Sequence, residues 1–222
     1  MTTVLICDDH RIVREGLRQF VAGVPGVDRV DTAASGEEVL ARYEHEQPDL
    51  ILMDVRMPGM DGLEATREIK RERPEIGILM VTMHDDPDYM LEAIRSGAAG
   101  YVLKDASWED LTASVRGALS GDFPMDPDVA AKLLQRLARE TPEVSNSSPP
   151  TRRLPDPLTP RELEVLEHLT LGRTNTGIAQ DLTISVGTVK THVQHVIKKL
   201  GVSDRTQAAV RAVELRLVQT AS

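Results

Sequence analysis

Between residues 4 and 119, short apolar runs alternate with longer segments in which apolar residues recur every three to four positions. The apolar runs lie at 4–7, 50–53, 78–81 and 100–103, and a further strand is predicted at 29–32 around Val30. The segments with helical spacing lie near 11–23, 36–46, 62–72, 87–96 and 107–119. Short apolar strands joined through helices are typical of a parallel sheet covered on both faces. The fold class predicted for this part is α/β, a doubly wound, five-stranded parallel sheet.

After residue 157 the pattern is helical only, with segments near 160–171, 175–182, 186–200 and 204–216. Thr159, Pro160 and Glu162 form a helix start, with an N-cap hydroxyl, a proline at the first helical position and an acid that completes a capping box. We therefore expect a second, all-α domain.

A linker is predicted between these parts, because prolines accumulate between residues 121 and 157 and residues 145–148 are only Ser and Asn. A short amphipathic stretch at 129–138 is predicted to form a helix within it. The predicted organisation is a first domain at 1–122, a linker at 123–156 and a second domain at 157–222.

The formal net charge of −9 is unevenly distributed. Residues 1–122 hold 13 Lys and Arg against 24 Asp and Glu, whereas residues 157–222 hold eight against six. A weakly basic second domain is compatible with DNA binding in which the non-specific electrostatic attraction is modest.

Membrane and secretion signals are missing from the pattern, since no stretch approaches the ~18 consecutive apolar residues of a membrane span. The single cysteine, Cys7, fits a reducing compartment and is expected to be a buried, inert thiol. The expectation is a cytoplasmic protein without a membrane partner.

Polar residues stand at the ends of four predicted strands: Asp8 and Asp9, then Asp54, Thr82 and Lys104. Ligands of such sheets bind beyond the carboxyl ends of the strands, so these residues should meet at one edge. Three carboxylates there would repel one another unless a hard cation such as Mg²⁺ joined them. Asp54 is then a plausible nucleophile toward a phosphoryl group, with Lys104 offsetting charge and Thr82 bonding the product phosphate. The alternative is that the acids only cap turns and helices.

Four elements of this half resemble the receiver domain of response regulators: ICDDH at 6–10, LMDVRMPGMDG at 52–62, VT at 81–82 and GYVLK at 100–104. The resemblance implies a flavodoxin-like fold in which Asp54 accepts phosphate from a sensor histidine kinase. It implies Mg²⁺ held by Asp9, Asp54 and the backbone carbonyl of Arg56, with Asp8 helping. It also implies a switch, in which the phosphate draws in the Thr82 hydroxyl and Tyr101 turns inward; for Tyr101 the alternative is ordinary packing.

Segment 186–200 has two distinct faces. At about 100° per residue, with Lys190 at zero, the apolar residues fall between roughly 240° and 340°. Gly187, Lys190, Thr191, Gln194 and Lys198 fall between about 0° and 100°, which makes a face that suits either solvent or a DNA groove.

Four further elements resemble the LuxR-type helix-turn-helix: LTPRELEVL at 158–166, NTGIAQDL at 175–182, SVGTVKTHV at 185–193 and KKLGV at 198–202. With a receiver in front, the chain resembles the NarL/FixJ family of response regulators. By that pattern we predict that Lys190, Thr191 and Gln194 read bases. The predicted phosphate contacts are Thr188, His192, Lys198, Lys199 and Arg205.

The implied function is a transcription regulator that phosphorylation of Asp54 converts to a homodimer on inverted-repeat, double-stranded DNA. The apolar stripe of 205–217 is expected to pair two DNA-binding domains, unless it packs within its own domain. One rival is a Mg²⁺-dependent phosphatase, which would need a second Asp where Arg56 stands, so we expect no enzyme. A second rival is a constitutive DNA-binding protein, in which the receiver domain serves only for dimerisation and phosphate has no role.

Overall fold

A computed structural model describes residues 1–83, 85–122 and 156–218, and the chain divides into two compact units, Met1–Met125 and Asp126–Ser222. The helix predicted at 129–138, and all of the predicted linker except residue 156, lie outside the described residues. The domain boundaries therefore stay a prediction.

The first unit contains a five-stranded, all-parallel sheet in the order β2-β1-β3-β4-β5. Its strands are β1 (Thr3–Cys7), β2 (Arg29–Ala33), β3 (Leu50–Met53), β4 (Gly77–Thr82) and β5 (Gly100–Leu103). Its helices are α1 (Arg11–Ala22), α2 (Gly36–Glu46), α3 (Gly62–Glu72), α4 (Pro87–Arg95) and α5 (Trp108–Leu119). The predicted doubly wound α/β fold is confirmed.

The central strands β1 and β3 are buried along their whole length. Val4 and Leu50 pack on one face with Leu17 of α1 and Val115 of α5. Because side chains alternate along a strand, their neighbours face the opposite layer of helices. This two-sided burial is the reason why these strands are continuous apolar runs.

Local capping determines where several helices begin. The side chains of Ser35, Asp61 and Ser107 accept hydrogen bonds from backbone N–H groups three residues later, at 3.2, 2.8 and 3.1 Å. Such caps satisfy donors that the first helical turn leaves without partners. The elements consequently lie within two residues of their predicted bounds.

Over the described residues 156–218 the second unit is all-α, as predicted, with α6 (Pro160–Thr170), α7 (Asn175–Asp181), α8 (Val186–Leu200) and α9 (Arg205–Glu214). The capping box at Thr159 and Glu162 is present. The apolar stripe of α9 packs within this unit, where Ala208 and Ala212 are fully buried. Ala208 and Ala212 thus belong to the domain's own core, and the pairing of two DNA-binding domains through this helix stays a prediction. Every helix in the described ranges is too short or too polar to traverse a bilayer.

Candidate functional site

The sheet register brings the predicted acidic site together at one edge. The backbone N–H of Asp54 donates to the carbonyl of Cys7 at 2.8 Å, so β3 ends beside β1 and beside Asp8, the residue after it. The N–H of Lys104 donates to the carbonyl of Thr82 at 2.8 Å, which aligns β5 with β4 in the same way. Four of the predicted site residues therefore follow from parallel pairing alone.

Lys104 lies between two carboxylates. Its Nζ atom is 2.6 Å from Oδ2 of Asp8 and 2.6 Å from Oδ2 of Asp54. The side chain of Lys104 is 9% exposed, that of Asp8 1% and that of Asp54 8%. One positive charge against two carboxylates leaves an excess of negative charge where water screens it poorly. This excess negative charge favours the binding of a cation.

The pKa values of this cluster reflect burial and pairing together. Burial raises the pKa of Asp54; the hydrogen bond and charge of Lys104 oppose the rise, Asp8 adds to it, and the net pKa is above the usual 3.8. For Lys104, burial alone would lower the pKa, but Asp54 and Asp8 outweigh it and the pKa is raised. Lys104 is therefore a firmly charged ammonium beside a carboxylate that is costly to ionise.

Asp9 and His10 complete a group with Asp8 and Asp54 in which one ligand atom from each side chain lies within 4.8 Å of the others. Nδ1 of His10 is 2.8 Å from Oδ1 of Asp9. Carboxylate oxygens are the ligands that Mg²⁺ prefers, so the donor set fits this ion. The part assigned to the backbone carbonyl of Arg56 stays a prediction.

An open cleft of about 510 Å³ gives access to the site. It is lined by His10, Val13, Asp54, Arg56, Thr82, Met83 and Lys104. Thr82 is fully buried and Tyr101 is 1% exposed. Both predicted switch residues thus lie inside the protein in this structure, and their movement on phosphorylation stays a prediction.

Sequence reasoning missed two parts of the site. His10 belongs to the acidic group, although it does not directly follow a strand. It is the N-cap residue of α1, in the short connection between β1 and this helix. Gly62 begins α3 against Asp54, and a Cβ atom at this position would collide with the backbone carbonyl of Asp54. The run MPGMDG contained the signal for a tight approach, but the approached atom was not readable from the sequence.

Helix α8 has the two faces that its pattern predicts. Val189, Val193, Val196 and Leu200 are buried. Ser185 caps the helix by accepting from the N–H of Thr188 at 3.0 Å. Five predicted contacts are exposed, namely Thr188, Lys190, Thr191, Gln194 and Lys198.

Two of the predicted phosphate contacts, Lys199 and Arg205, donate to acceptors within the second unit. Nζ of Lys199 donates to Oε2 of Glu162 at 2.8 Å. Arg205 is 5% exposed; its guanidinium donates to Oδ1 of Asn175 at 3.4 Å and to the carbonyl of Arg173. Both cations thus stabilise contacts between elements of the second unit. A third predicted contact, His192, is half-buried.

Two family models match the chain. The model of the response regulator receiver domain matches residues 4–116, and the model of bacterial regulatory proteins of the luxR family matches residues 156–212. Together they span both units and contain the acidic edge and helix α8.

Curated relatives match nearly the whole chain. The transcriptional regulatory protein LiaR of Bacillus subtilis (strain 168) is 40% identical over 218 residues, which are 98% of this chain and 100% of the relative. LnrK of the same organism, also a transcriptional regulatory protein, is 39% identical over 215 residues, 96% of this chain and 97% of the relative. Among solved structures, the response regulator ChrA of a heme-sensing two-component system is 34% identical, with a TM-score of 0.51 over 97% of this chain and 98% of that one.

Proposed function

Because the chain belongs to the response regulators that join a receiver domain to a LuxR-type DNA-binding domain, we propose that a sensor histidine kinase phosphorylates Asp54 and thereby controls DNA binding. The observation that carries the proposal is the 2.6 Å contact between Nζ of Lys104 and Asp54. A carboxylate held beside a fixed ammonium in a cleft has both the nucleophile and the charge that phosphoryl transfer requires.

In the proposed step, a carboxylate oxygen of Asp54 attacks the phosphorus of a phosphohistidine, the P–N bond breaks, and an acyl phosphate forms on Asp54. Lys104 pairs with the transferred oxygens, and the Thr82 hydroxyl donates a hydrogen bond to one of them. Mg²⁺ held by Asp8, Asp9, Asp54 and the Arg56 carbonyl would neutralise further charge. The relatives are transcriptional regulators, and we propose no turnover reaction beyond slow loss of this phosphate.

DNA binding is assigned to the exposed face of α8. We propose that Lys190, Thr191 and Gln194 meet base edges in the major groove and that Thr188 and Lys198 meet phosphates, with His192 at the edge of the contact. A phosphorylated homodimer would bind an inverted repeat with half-sites about one helical turn apart. We propose that both phosphorylation and DNA binding take place in the cytoplasm, where the kinase and the DNA are accessible.

The test combines intact mass with sizing and DNA binding. The full chain is incubated with Mg²⁺ and acetyl phosphate, and wild type is compared with Asp54→Asn. We expect one added phosphoryl group in wild type alone, followed by a shift to dimer and tighter DNA binding. Equal DNA affinity and equal size for both proteins would instead favour a DNA binder that does not depend on phosphate.

A further inference from the structure

The second unit contains a buried acid that DNA contact does not explain. Glu162 is 3% exposed and lies at the start of α6. Its Oε2 atom accepts a hydrogen bond from the N–H of Thr159 at 2.7 Å, and the Thr159 hydroxyl accepts from the N–H of Glu162 at 3.3 Å. A glutamine would complete this capping box equally well. The negative charge therefore serves a second partner.

That partner is Lys199, in the last turn of α8. Its Nζ atom lies 2.8 Å from Oε2 of Glu162, 3.1 Å from the carbonyl oxygen of Pro157 and 3.9 Å from Oδ1 of Asp156. Its side chain is 17% exposed, whereas the neighbouring Lys198 is exposed to solvent. One ammonium thus holds the end of α8, the start of α6 and the two residues that lead into the domain.

The carboxylate of Glu162 is charged in this arrangement. Burial alone would raise its pKa, but the hydrogen bonds from Lys199 and Thr159 and the charge of Lys199 outweigh burial and hold the pKa below the usual 4.5. A second residue of α8 also faces it, since Nδ1 of His195 lies 3.7 Å from Oε1. His195 and Lys199 both approach Glu162 from the C-terminal half of α8. Lys199 lies in the last turn, five to nine residues after the proposed base contacts at 190, 191 and 194.

We propose that the Glu162–Lys199 pair is a positioning contact, which orients α8 for DNA and fixes it to the point where the chain enters the domain. Lys199 then acts on DNA affinity through helix orientation and makes no phosphate contact. Base readout requires side chains held to within about 0.5 Å and 10–20°, so an anchor at the far end of the helix affects it. The inference rests on the proposed function of α8 as the DNA-binding helix.

The experiment measures DNA affinity as a function of salt with the full chain, treated with Mg²⁺ and acetyl phosphate. The probes are a fluorescent mixed-sequence duplex and a duplex selected by wild type from a random pool. The variants are Glu162→Gln, Lys199→Met and the double variant, with Lys198→Met as the matched control because it removes the adjacent, exposed lysine. Lys199→Arg keeps the charge and the donors, and circular dichroism checks the fold of each protein.

The expected results separate position from charge. Lys198→Met should reduce the slope of log K against log salt by about 0.9 for each bound subunit, the value for one phosphate contact. Glu162→Gln and Lys199→Met should keep the wild-type slope while affinity for the selected duplex falls about three- to tenfold, and the double variant should lose no more than either single variant. Lys199→Arg should retain most of the affinity.

Glu162→Gln distinguishes the two roles of Lys199, because its DNA affinity should fall if Lys199 positions α8 and rise if Lys199 contacts a phosphate. This variant keeps the capping hydrogen bonds, so it still tests the proposal if Lys199→Met does not fold. Tighter binding with a steeper salt slope would mean that the released Lys199 meets a phosphate, and the proposal would be wrong. A loss of slope in Lys199→Met equal to that of Lys198→Met would overturn it too. If the wild type neither binds the mixed-sequence duplex nor enriches any duplex from the random pool at low salt, the proposed function itself fails, and this inference fails with it.

Discussion

Gly62 packs against the backbone of Asp54 so closely that any side chain at residue 62 would collide with the Asp54 carbonyl oxygen. The N–H of Gly62 also donates to the carbonyl of Val55 at 3.0 Å, which fixes the loop between β3 and α3. The absence of a side chain at one residue thus sets the backbone position of the proposed phosphoacceptor.

Gly62→Ala should destabilise the first unit by about 1–3 kcal/mol, because the added methyl group forces the loop away from Asp54. Thermal denaturation by calorimetry measures the effect, and phosphoryl loading should slow in parallel. Gly16→Ala is the control, since a Cβ atom at this position of α1 meets nothing within 4 Å and alanine favours a helix. Equal stability of the two variants would contradict the close approach.

Lys104→Met should destabilise the first unit by roughly 3–5 kcal/mol in EDTA, because Asp8 and Asp54 would face each other without a cation. Mg²⁺ should restore part of the loss, so its stabilising effect should be larger in the variant than in wild type. Thermal melts with EDTA and with MgCl₂ measure both effects. Lys70→Met removes an amine at the surface and should give no such difference. The lack of any Mg²⁺ effect in both wild type and Lys104→Met would argue against a metal at this edge.

Asp54→Asn should stabilise the first unit at neutral pH in EDTA. Burial raises the pKa of Asp54, with Lys104 opposing and Asp8 adding, so its ionisation weakens the folded state as the pH rises from 3.8 through the folded pKa. The gain from asparagine should therefore be present at pH 7 and shrink as the pH falls toward 4. Melting temperatures of both proteins across this range test the sign, and a gain that is constant with pH would refute the assignment to Asp54.

Gln194→Ala should change sequence preference more than general affinity. A bidentate contact between glutamine and adenine provides about 1–3 kcal/mol of discrimination, and its loss should relax one position of each half-site. Selection from a random duplex pool, followed by affinity measurements on single-base variants, would show it. Gln19→Ala removes an exposed glutamine from α1 and should leave the selected sequence unchanged. An identical selected sequence for Gln194→Ala would exclude that residue as a base contact.

The elements and the acidic edge were predictable because their signals are local or follow from the fold class. The caps at Ser35 and Ser107 lie three residues from the N–H groups that they bind. Asp54 and Lys104 each follow an apolar run directly, and parallel pairing brings strand ends together without knowledge of any particular contact.

The orientation of Lys199 and Arg205 was not predictable, because their partners are distant in sequence. Glu162 lies 37 residues before Lys199, and Asn175 lies 30 residues before Arg205. Periodicity assigns a residue to a side of its own helix, but a long cationic side chain at a helix end can follow either solvent or a buried acceptor. Only the packing of α6, α7 and α9 decides between the two.

The strand order has a consequence for how the protein is made. β1 leaves the ribosome first, yet it pairs with β2 on one side and β3 on the other, so it stays incomplete until residues 50–53 have emerged. β4 and β5 then extend a single edge in order of synthesis. Because domains fold as units during synthesis at about 5–20 residues per second, the pocket around Asp54 is built several seconds before the last turn of α8 exists.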